Sequence, residues 1–385
     1  MRQHKIPAVF VRGGTSKGIM LHQGDLPGER REWDKIFLAA LGSPDPYGRQ
    51  LDGMGGGLSS LSKICVIGPS THADADVDYT FAQVLIKDAH VDYNALCGNM
   101  SSAVGPFAVD EGLLKPAGDR ATVRIHNTNT RKIINAHFPL DGGQAAVDGN
   151  LVIPGVDGTG APVRLDFLDP GGATTGKLLP TGNTSDRLEV PGVGTLEVSM
   201  VDASNACVFV RAQDLGITGT EMPADIETNE RLMRTLSAIR LAASVRMGVA
   251  KNEEEAARNT PVPFVGFVAP PTTARTLSGE TIDAGSVDLT ARIISNGQPH
   301  RALPLGASMC LAVAARITGS VVHAVTRPSQ RAEDDLRIAM PSGTLTVAAE
   351  VREQNGQWQA VRGGFYRTQR RLFEGNVLVR AAAAT

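Results

Sequence analysis

Two stretches of this chain read as loose copies of one another. In the first half, Asp76-Val77-Asp78-Tyr79-Thr80 leads to Ala95-Leu96-Cys97-Gly98-Asn99-Met100-Ser101-Ser102-Ala103-Val104. In the second, Ser286-Val287-Asp288-Leu289-Thr290 leads to Ala302-Leu303-Pro304-Leu305-Gly306-Ala307-Ser308-Met309-Cys310. With Gly98 placed on Gly306 the offset is 208 residues, and with Val77 on Val287 it is 210. A duplication of this kind lets each half deliver one helix start to a cleft between domains. At 385 residues the chain also exceeds the size at which one core keeps growing, so two domains are expected, here 1–184 and 185–385, with the chain ends free to cross over between them.

Most segments read as short β-runs closed by Gly, Pro, Asn or Asp, among them Ala8 to Arg12, Ile64 to Ile67, Thr80 to Ile86, Thr122 to His126, Lys132 to Phe138, Val163 to Phe167, Gly194 to Val201 and Cys207 to Arg211. Helices are fewer: Arg30 to Leu41, Ser101 to Glu111, Asn229 to Arg246, Glu253 to Arg258 and Ala307 to Ile317. Strands that dominate while each half keeps one central apolar helix predict an α+β fold, with helices enclosed by curved sheets.

Cys97 carries the most suggestive chemistry. A lone cysteine is usually a small core hydrophobe, and Cys65 and Cys207, set in apolar β-runs, fit that description. Cys97 is instead followed by Gly98, Asn99, Met100 and Ser101, the composition of a turn or anion nest at a helix start. Unpaired N–H groups and the positive end of the dipole would lower a thiol's pKa there and cradle a carboxylate. The aligned partner of Cys97 in the second half is Leu305, so a racemase working with two opposed thiols is excluded.

Other segments offer weaker signals. Gly53-Met54-Gly55-Gly56-Gly57 runs through Ser59 and Ser60 to Lys63, at the head of a strand. Apolar neighbours there would favour the neutral amine and suit a general base, although by itself the segment reads better as an ordinary strand-edge lysine. Arg12-Gly13-Gly14-Thr15-Ser16-Lys17-Gly18 lacks the order of a P-loop, and the strand behind it argues against a Ser16 nucleophile. It does supply backbone N–H groups, the Thr15 and Ser16 hydroxyls and the Lys17 cation to a carboxylate-rich ligand. In Leu179-Pro180-Thr181-Gly182-Asn183, Thr181 and Asn183 are candidate donors, and a plain β-turn is the other reading.

Composition narrows the class. A net charge of −2, from 38 basic and 40 acidic residues, gives no footprint for nucleic acid or an acidic membrane. Four Cys without paired spacing, no signal-type opening and no long apolar run predict a cytoplasmic protein. The eight His are scattered, so no metal site is expected.

These motifs in this order, with Gly42-Ser43-Pro44-Asp45-Pro46-Tyr47 and Pro341-Ser342-Gly343-Thr344 added, resemble the PrpF family, the 2-methylaconitate isomerases and their relatives, over nearly the whole chain. The resemblance implies the two-domain diaminopimelate epimerase-like fold, each domain a curved sheet or barrel around a central helix, with the active site in the cleft between them. It also implies a cofactor-independent 1,3-proton shift in an unsaturated di- or tricarboxylate, with a lysine and a cysteine as acid/base pair. Those roles fall on Lys63 and Cys97. The helix starts Gly98 to Ser101 and Gly306 to Ser308 and the Gly14 to Lys17 loop would hold the carboxylates. Leu188 to Leu196 and Phe267 to Pro271 look nearer to the 2-methylaconitate type, whereas Val91 to Leu96 departs from it; 4-oxalomesaconate and 3-methylitaconate are the alternatives. A homodimer and a pairing with an aconitase-like dehydratase are the partners such a protein would have. A non-catalytic small-acid binding protein is the alternative of another class, and a retained lysine and thiol count against it.

Overall fold

The computed structural model describes residues 3–94, 96–258, 262–328 and 335–380; Ala95 of the cysteine motif lies outside them. The chain divides into two compact units, one running to Phe167 and resuming at Tyr366, the other Leu168–Phe365. The boundary thus falls before residue 184, because the intervening segment is hydrogen-bonded into the second unit. Ser204 N donates to Pro170 O, Gly172 N to Asp202 O and Asp202 N to Leu178 O. The chain's end returns to the first unit, where strand Gln369–Arg380 pairs along the whole of strand Gln3–Gly13.

Among the described residues, the first unit's sheet runs in the order Gln369–Arg380, Gln3–Gly13, Ser16–His22, Lys63–Pro69, Val77–Val84, Arg120–Asn127, Lys132–Asp141, Val163–Leu168. Two contacts are parallel, Ser16–His22 with Lys63–Pro69 and Val77–Val84 with Arg120–Asn127. Parallel neighbours need a crossover, and the crossovers hold helices Trp33–Leu41 and Gly98–Asp110. Trp33, Phe37 and Leu41 pack with Ile64, Val66 and Ala82 on one face. Helix Gly98–Asp110 takes the other face and is buried from Met100 through Val109. It touches strands far apart in the order, Gln3–Gly13 and Lys132–Asp141, so the sheet curls around it. Such enclosure requires a helix that is apolar on every side, and each buried Val, Met or Phe contributes roughly 1.5–3 kcal/mol. Gly105 permits the closest approach, since a Cβ there would lie 2.9 Å from the Phe138 ring and 3.0 Å from Ala136.

The second unit orders its strands Asp186–Val190, Gly194–Ala203, Asn205–Arg211, Phe264–Ala269, Leu289–Ser295, Leu336–Met340, Gly343–Gln354, Gln357–Arg367. Helices Pro223–Thr228, Glu230–Arg246 and Glu253–Arg258 fill its first parallel crossover, and Leu305–Arg316, buried from Ala307 through Ala315, fills the second. In both units the sense of pairing reads antiparallel, antiparallel, parallel, antiparallel, parallel, antiparallel, antiparallel. The two halves share one topology.

An ion pair fixes the register of the repeat. Asp76 N donates to Arg124 O at 2.7 Å, Arg124 N donates to Asp76 Oδ2 at 2.8 Å, and the two side chains pair at 2.6 Å. Asp288 and Arg337 make the same contacts at 2.8, 2.8 and 2.9 Å. Val77 therefore corresponds to Leu289, not to Val287. At the helix starts, the amide and hydroxyl of Ser101 both bond Cys97 O, and those of Ser308 both bond Pro304 O. Cys97 corresponds to Pro304, which corrects the expected match with Leu305 and that of Gly98 with Gly306. Loops of different length between the elements defeat any single offset. The helix also begins at Gly98 rather than Ser101.

Burial pushes the Asp288 carboxyl up, but the hydrogen bonds and charge of Arg337 outweigh it and hold the group below the usual carboxylate range. A depressed carboxyl stabilises the fold above its unfolded value, and that contribution is lost as pH falls through the folded value. Asp288→Asn should cost about 1 kcal/mol at neutral pH, the pair being partly solvent-screened. In urea titrations the deficit relative to wild type should shrink as pH drops below about 4; a pH-independent deficit would mean that the charge contributes nothing.

Candidate active site

Cys97 caps helix Gly98–Asp110 in an extended conformation and is half-buried. By helix geometry the first amides, Gly98 to Met100, have no partner within the helix. Ser101 and Ser102 are buried and turn their hydroxyls back, onto Cys97 O at 2.9 Å and Asn99 O at 2.7 Å. Beneath the thiol lie Cys65 and Tyr79, both fully buried, with the Cys65 thiol 3.8 Å from the Tyr79 hydroxyl. Burial pushes the Cys65 thiol up to about 12 and the Tyr79 phenol well above its ordinary value, so both stay protonated at neutral pH.

Lys63 begins strand Lys63–Pro69 two residues before Cys65, so the two side chains share the face that meets the buried helix. Lys63 is 7% exposed. Its Nζ donates to Gln83 Oε1 and lies 5.1 Å from the centre of the Phe81 ring. The Cys65 thiol feels the charge of both Lys63 and Cys97, so each of the two acts on that buried thiol. Gly18 makes room on the neighbouring strand: a Cβ there would lie 2.6 Å from the Lys63 carbonyl oxygen.

A polar bridge flanks the thiol. Asn99 Oδ1 accepts from Arg367 Nε at 3.0 Å and from the Thr15 amide at 3.4 Å, and Asn99 Nδ2 donates to Thr15 Oγ1 at 3.1 Å. Gly14, at φ +51°, lets the loop close on this amide, since a Cβ there would meet Asn99 Oδ1 at 2.2 Å. Burial lowers the Arg367 guanidinium to about 10, while Cys97 pulls it upward. A buried cation beside a half-buried thiol and a helix start is an environment that attracts carboxylates.

The remaining candidates divide. Thr15 is exposed on the bridge and Ser16 is buried in the hairpin. Lys17 lies with its Nζ 5.9 Å from the centre of the Phe10 ring, on the face covered by helix Trp33–Leu41 and away from Lys63. Ser59 and Ser60 lie on the segment before Lys63, where the Ser59 carbonyl accepts from Gln83 Nε2. In the second unit, the Thr181 hydroxyl and the Asn183 amide both bond Asp186, serving their own turn. Gly306 sits against Asn205 and Ser204, where a Cβ would meet Asn205 Oδ1 at 1.9 Å, and Ser308 is buried against Pro304 O. The counterpart of Lys63 is Phe264: Val265 pairs with Ile294 as Ile64 pairs with Ala82. Ser295 stands where Gln83 does and bonds His300 at 2.6 Å.

Sequence reasoning missed Gln83 and Arg367, which sit in no recognisable motif, and Tyr79, which it read only as part of the repeat. Only strand pairing could have shown Gln83, which lies directly across the ladder from Lys63. Among the described residues no group of three or more His, Cys, Asp or Glu side chains could hold a metal ion, and no helix is long and apolar enough to cross a membrane.

Known proteins match this chain over nearly their whole length. The chain is 44% identical to the 3-methylitaconate isomerase of Eubacterium barkeri over 99% of this chain and 98% of that one. It is 38% identical to the 2-methyl-aconitate isomerase of Shewanella oneidensis, covering 98% and 97%, and 37% identical to the 4-oxalomesaconate tautomerase of Pseudomonas putida, also covering 98% and 97%. A crystal structure of methylitaconate-delta-isomerase superposes with a TM-score of 0.92 at 43% identity, covering 100% of this chain and 99% of that one. The family model described as PrpF protein matches residues 3–380, and the chain belongs to that family of isomerases.

Proposed function

We propose that this isomerase catalyses a cofactor-independent 1,3-allylic proton shift in a small unsaturated di- or tricarboxylate, with Lys63 and Cys97 as its acid/base pair. What supports the reading is a buried lysine on the strand face that meets the enclosed helix and a half-buried thiol at that helix's cap, both acting on the Cys65 thiol. A proton alpha or vinylogous to a carboxylate is weakly acidic, so the chemistry needs a base at one end of a three-carbon unit and an acid at the other. The Lys63 amine takes the proton, its electron pair passes into a dienolate, and the Cys97 thiol returns a proton at the far carbon. Lysine is left as ammonium and cysteine as thiolate, and proton exchange resets them. The opposite direction of reaction exchanges the roles. Negative charge that develops on the carboxylates is met by the amides of Gly98 to Met100 and by the Arg367–Asn99–Thr15 bridge.

The substrate class follows from the relatives, which by name act on 3-methylitaconate, 2-methylaconitate and 4-oxalomesaconate. The segments that likened the chain to the 2-methylaconitate type carry little weight. Leu188, Val190, Leu196 and Phe267 all belong to one apolar core, so their identities answer to packing. Tyr93 is tied by its hydroxyl to Asp34 at 2.6 Å and covered by Arg30, which accounts for the departure in Val91 to Leu96 without reference to substrate. With 44% identity to the methylitaconate enzyme, an assay panel properly starts at 3-methylitaconate and continues through 2-methylaconitate and 4-oxalomesaconate. A dehydratase or hydratase is the class of enzyme that would supply or consume such an acid. Four free thiols fit a reducing, cytoplasmic setting.

Lys63→Ala and Cys97→Ser should remain folded while turnover falls at least about a hundredfold, the range expected for general acid/base groups. Solvent deuterium wash-in followed by NMR gives the second readout. Binding without exchange in the wild type would favour a small-acid binding protein instead, and near-full activity in either variant would remove that residue from the pair.

Gly14→Ala tests the bridge. The new methyl must displace the Asn99 amide, so KM should rise several-fold or more while the melting temperature falls modestly, a strained φ costing about 1–3 kcal/mol. Unchanged steady-state constants would take Asn99 out of substrate handling.

A further inference from the structure

We infer that Gln83 is a positioning residue for Lys63: it holds the Nζ through a neutral, acceptor-only contact that leaves the amine lone pair aimed away from it at substrate. The inference rests on Lys63 acting as the base.

Gln83 faces Lys63 directly across the antiparallel ladder. Its Nε2 donates to Ser59 O at 3.0 Å and to Ser62 O at 2.9 Å, so both amide protons are committed. Two carbonyl acceptors can be served only by the NH2 end, which fixes the oxygen as the atom that faces Lys63. Oε1 then accepts from Nζ. The shelf that presents those carbonyls is itself pinned. The Ser62 hydroxyl donates to Val84 O at 2.8 Å and accepts from Gln50 Nε2 at 2.8 Å, and Gln50, 1% exposed, also bonds Ser43 Oγ and the Gly57 amide.

The chemistry of the contact suits a base. A neutral amine has two N–H bonds and one lone pair, and an ammonium has three N–H bonds; both can give one N–H to Oε1. A hydroxyl partner could rotate and donate into the lone pair, occupying it. A carboxylate would hold the ammonium by charge and oppose its deprotonation. An amide locked by its own NH2 does neither. The ionisable groups that act on Cys65, the neighbour of Lys63 on this face, include the Cys97 thiol and the Tyr79 phenol; Arg367 acts on Cys97, and the Glu111 carboxylate sits at the opposite end of the buried helix, paired with His22 at 3.1 Å.

The test compares Gln83→Met, Gln83→Glu and Lys63→Ala with wild type on the full-length chain, using whichever acid of the panel is turned over. Thermal melts report folding. Gln83→Met keeps the shape but removes the acceptor, and should lower kcat at least tenfold with KM within about threefold, as expected when an interaction of the reacting state is lost. Gln83→Glu should lower kcat/KM at neutral pH at least tenfold, with recovery as pH is raised and the ammonium is titrated. Should Gln83→Met not fold, Gln83→Leu takes its place. A folded Gln83→Glu with the wild-type pH profile, or a folded Gln83→Met with wild-type kcat, overturns the inference. Lys63→Ala separates the two ideas: if it turns over at the wild-type rate, the base assignment itself fails, whereas an inactive Lys63→Ala beside an unaffected Gln83→Met removes Gln83 alone.

Discussion

A helix enclosed by its own sheet can offer a ligand only its ends. Helix Gly98–Asp110 is buried from Met100 through Val109, so its side-chain stripe is spent on the core, and its amino end is where unsatisfied polar groups remain. The residues around that end are arranged accordingly. Ser101 and Ser102 turn back to bond backbone carbonyls instead of reaching outward. Asn99 spans the gap to Thr15 and Arg367, and Cys97 occupies the cap itself. The strands that wrap the helix bring Lys63 and Cys65 beneath it. Remove the enclosure and no reason remains for a buried lysine on the wrapping strand and a buried arginine bonded to Asn99 at the helix start.

The same enclosure is built twice, with one pairing sequence and one Asp–Arg clasp in each unit, but the chemistry is not duplicated. Phe264 replaces Lys63, and Pro304 replaces Cys97. Both replacements remove a titratable group. The second helix start keeps the backbone device, with Gly306 closed against Ser204 and Asn205 much as Gly14 is closed against Asn99. The titratable pair to which the proton shift is assigned by proposal thus occurs in one half, and the other half shares the scaffold. Inverting a stereocentre by two matched thiols would need an acid/base group at both caps, whereas a 1,3-proton shift sets no such requirement.

How far the sequence was legible follows from the range of each interaction. The turn-like neighbours of Cys97 are local, and they announced a helix start, although it was read at Ser101 and the helix begins at Gly98. The short apolar runs were local as well, and each of those named falls on a strand, whereas Asp186–Val190 and the strands after Arg211 were not named. Lys63 was read from its apolar neighbours as a candidate base but more readily as a strand-edge lysine, and the family likeness decided between them, because one lysine at a strand edge has no local mark of burial. Gln83 and Arg367 depend on pairing 20 residues along the chain for the first and 268 for the second, and neither distance leaves a pattern in composition. Lys17 could have been judged better. Successive residues of a strand point to opposite faces, so Ser16 and Lys17 could not both line one site.

The choice of partner for Lys63 bears on why a lysine can serve here at all. A buried ammonium usually demands a carboxylate, and breaking such a pair costs about 3–5 kcal/mol in measured cases. A base that alternates between amine and ammonium would meet a cost of that kind on every turnover, since its partner would resist the loss of charge. Among the described residues, Lys63 contacts an amide oxygen and an aromatic ring instead. Both stabilise a cation, the ring by roughly 0.5–2 kcal/mol, and neither is left as an unpaired charge when the proton departs. These partners therefore suit the role proposed for Lys63, since neither is a charge that a departing proton would leave unpaired.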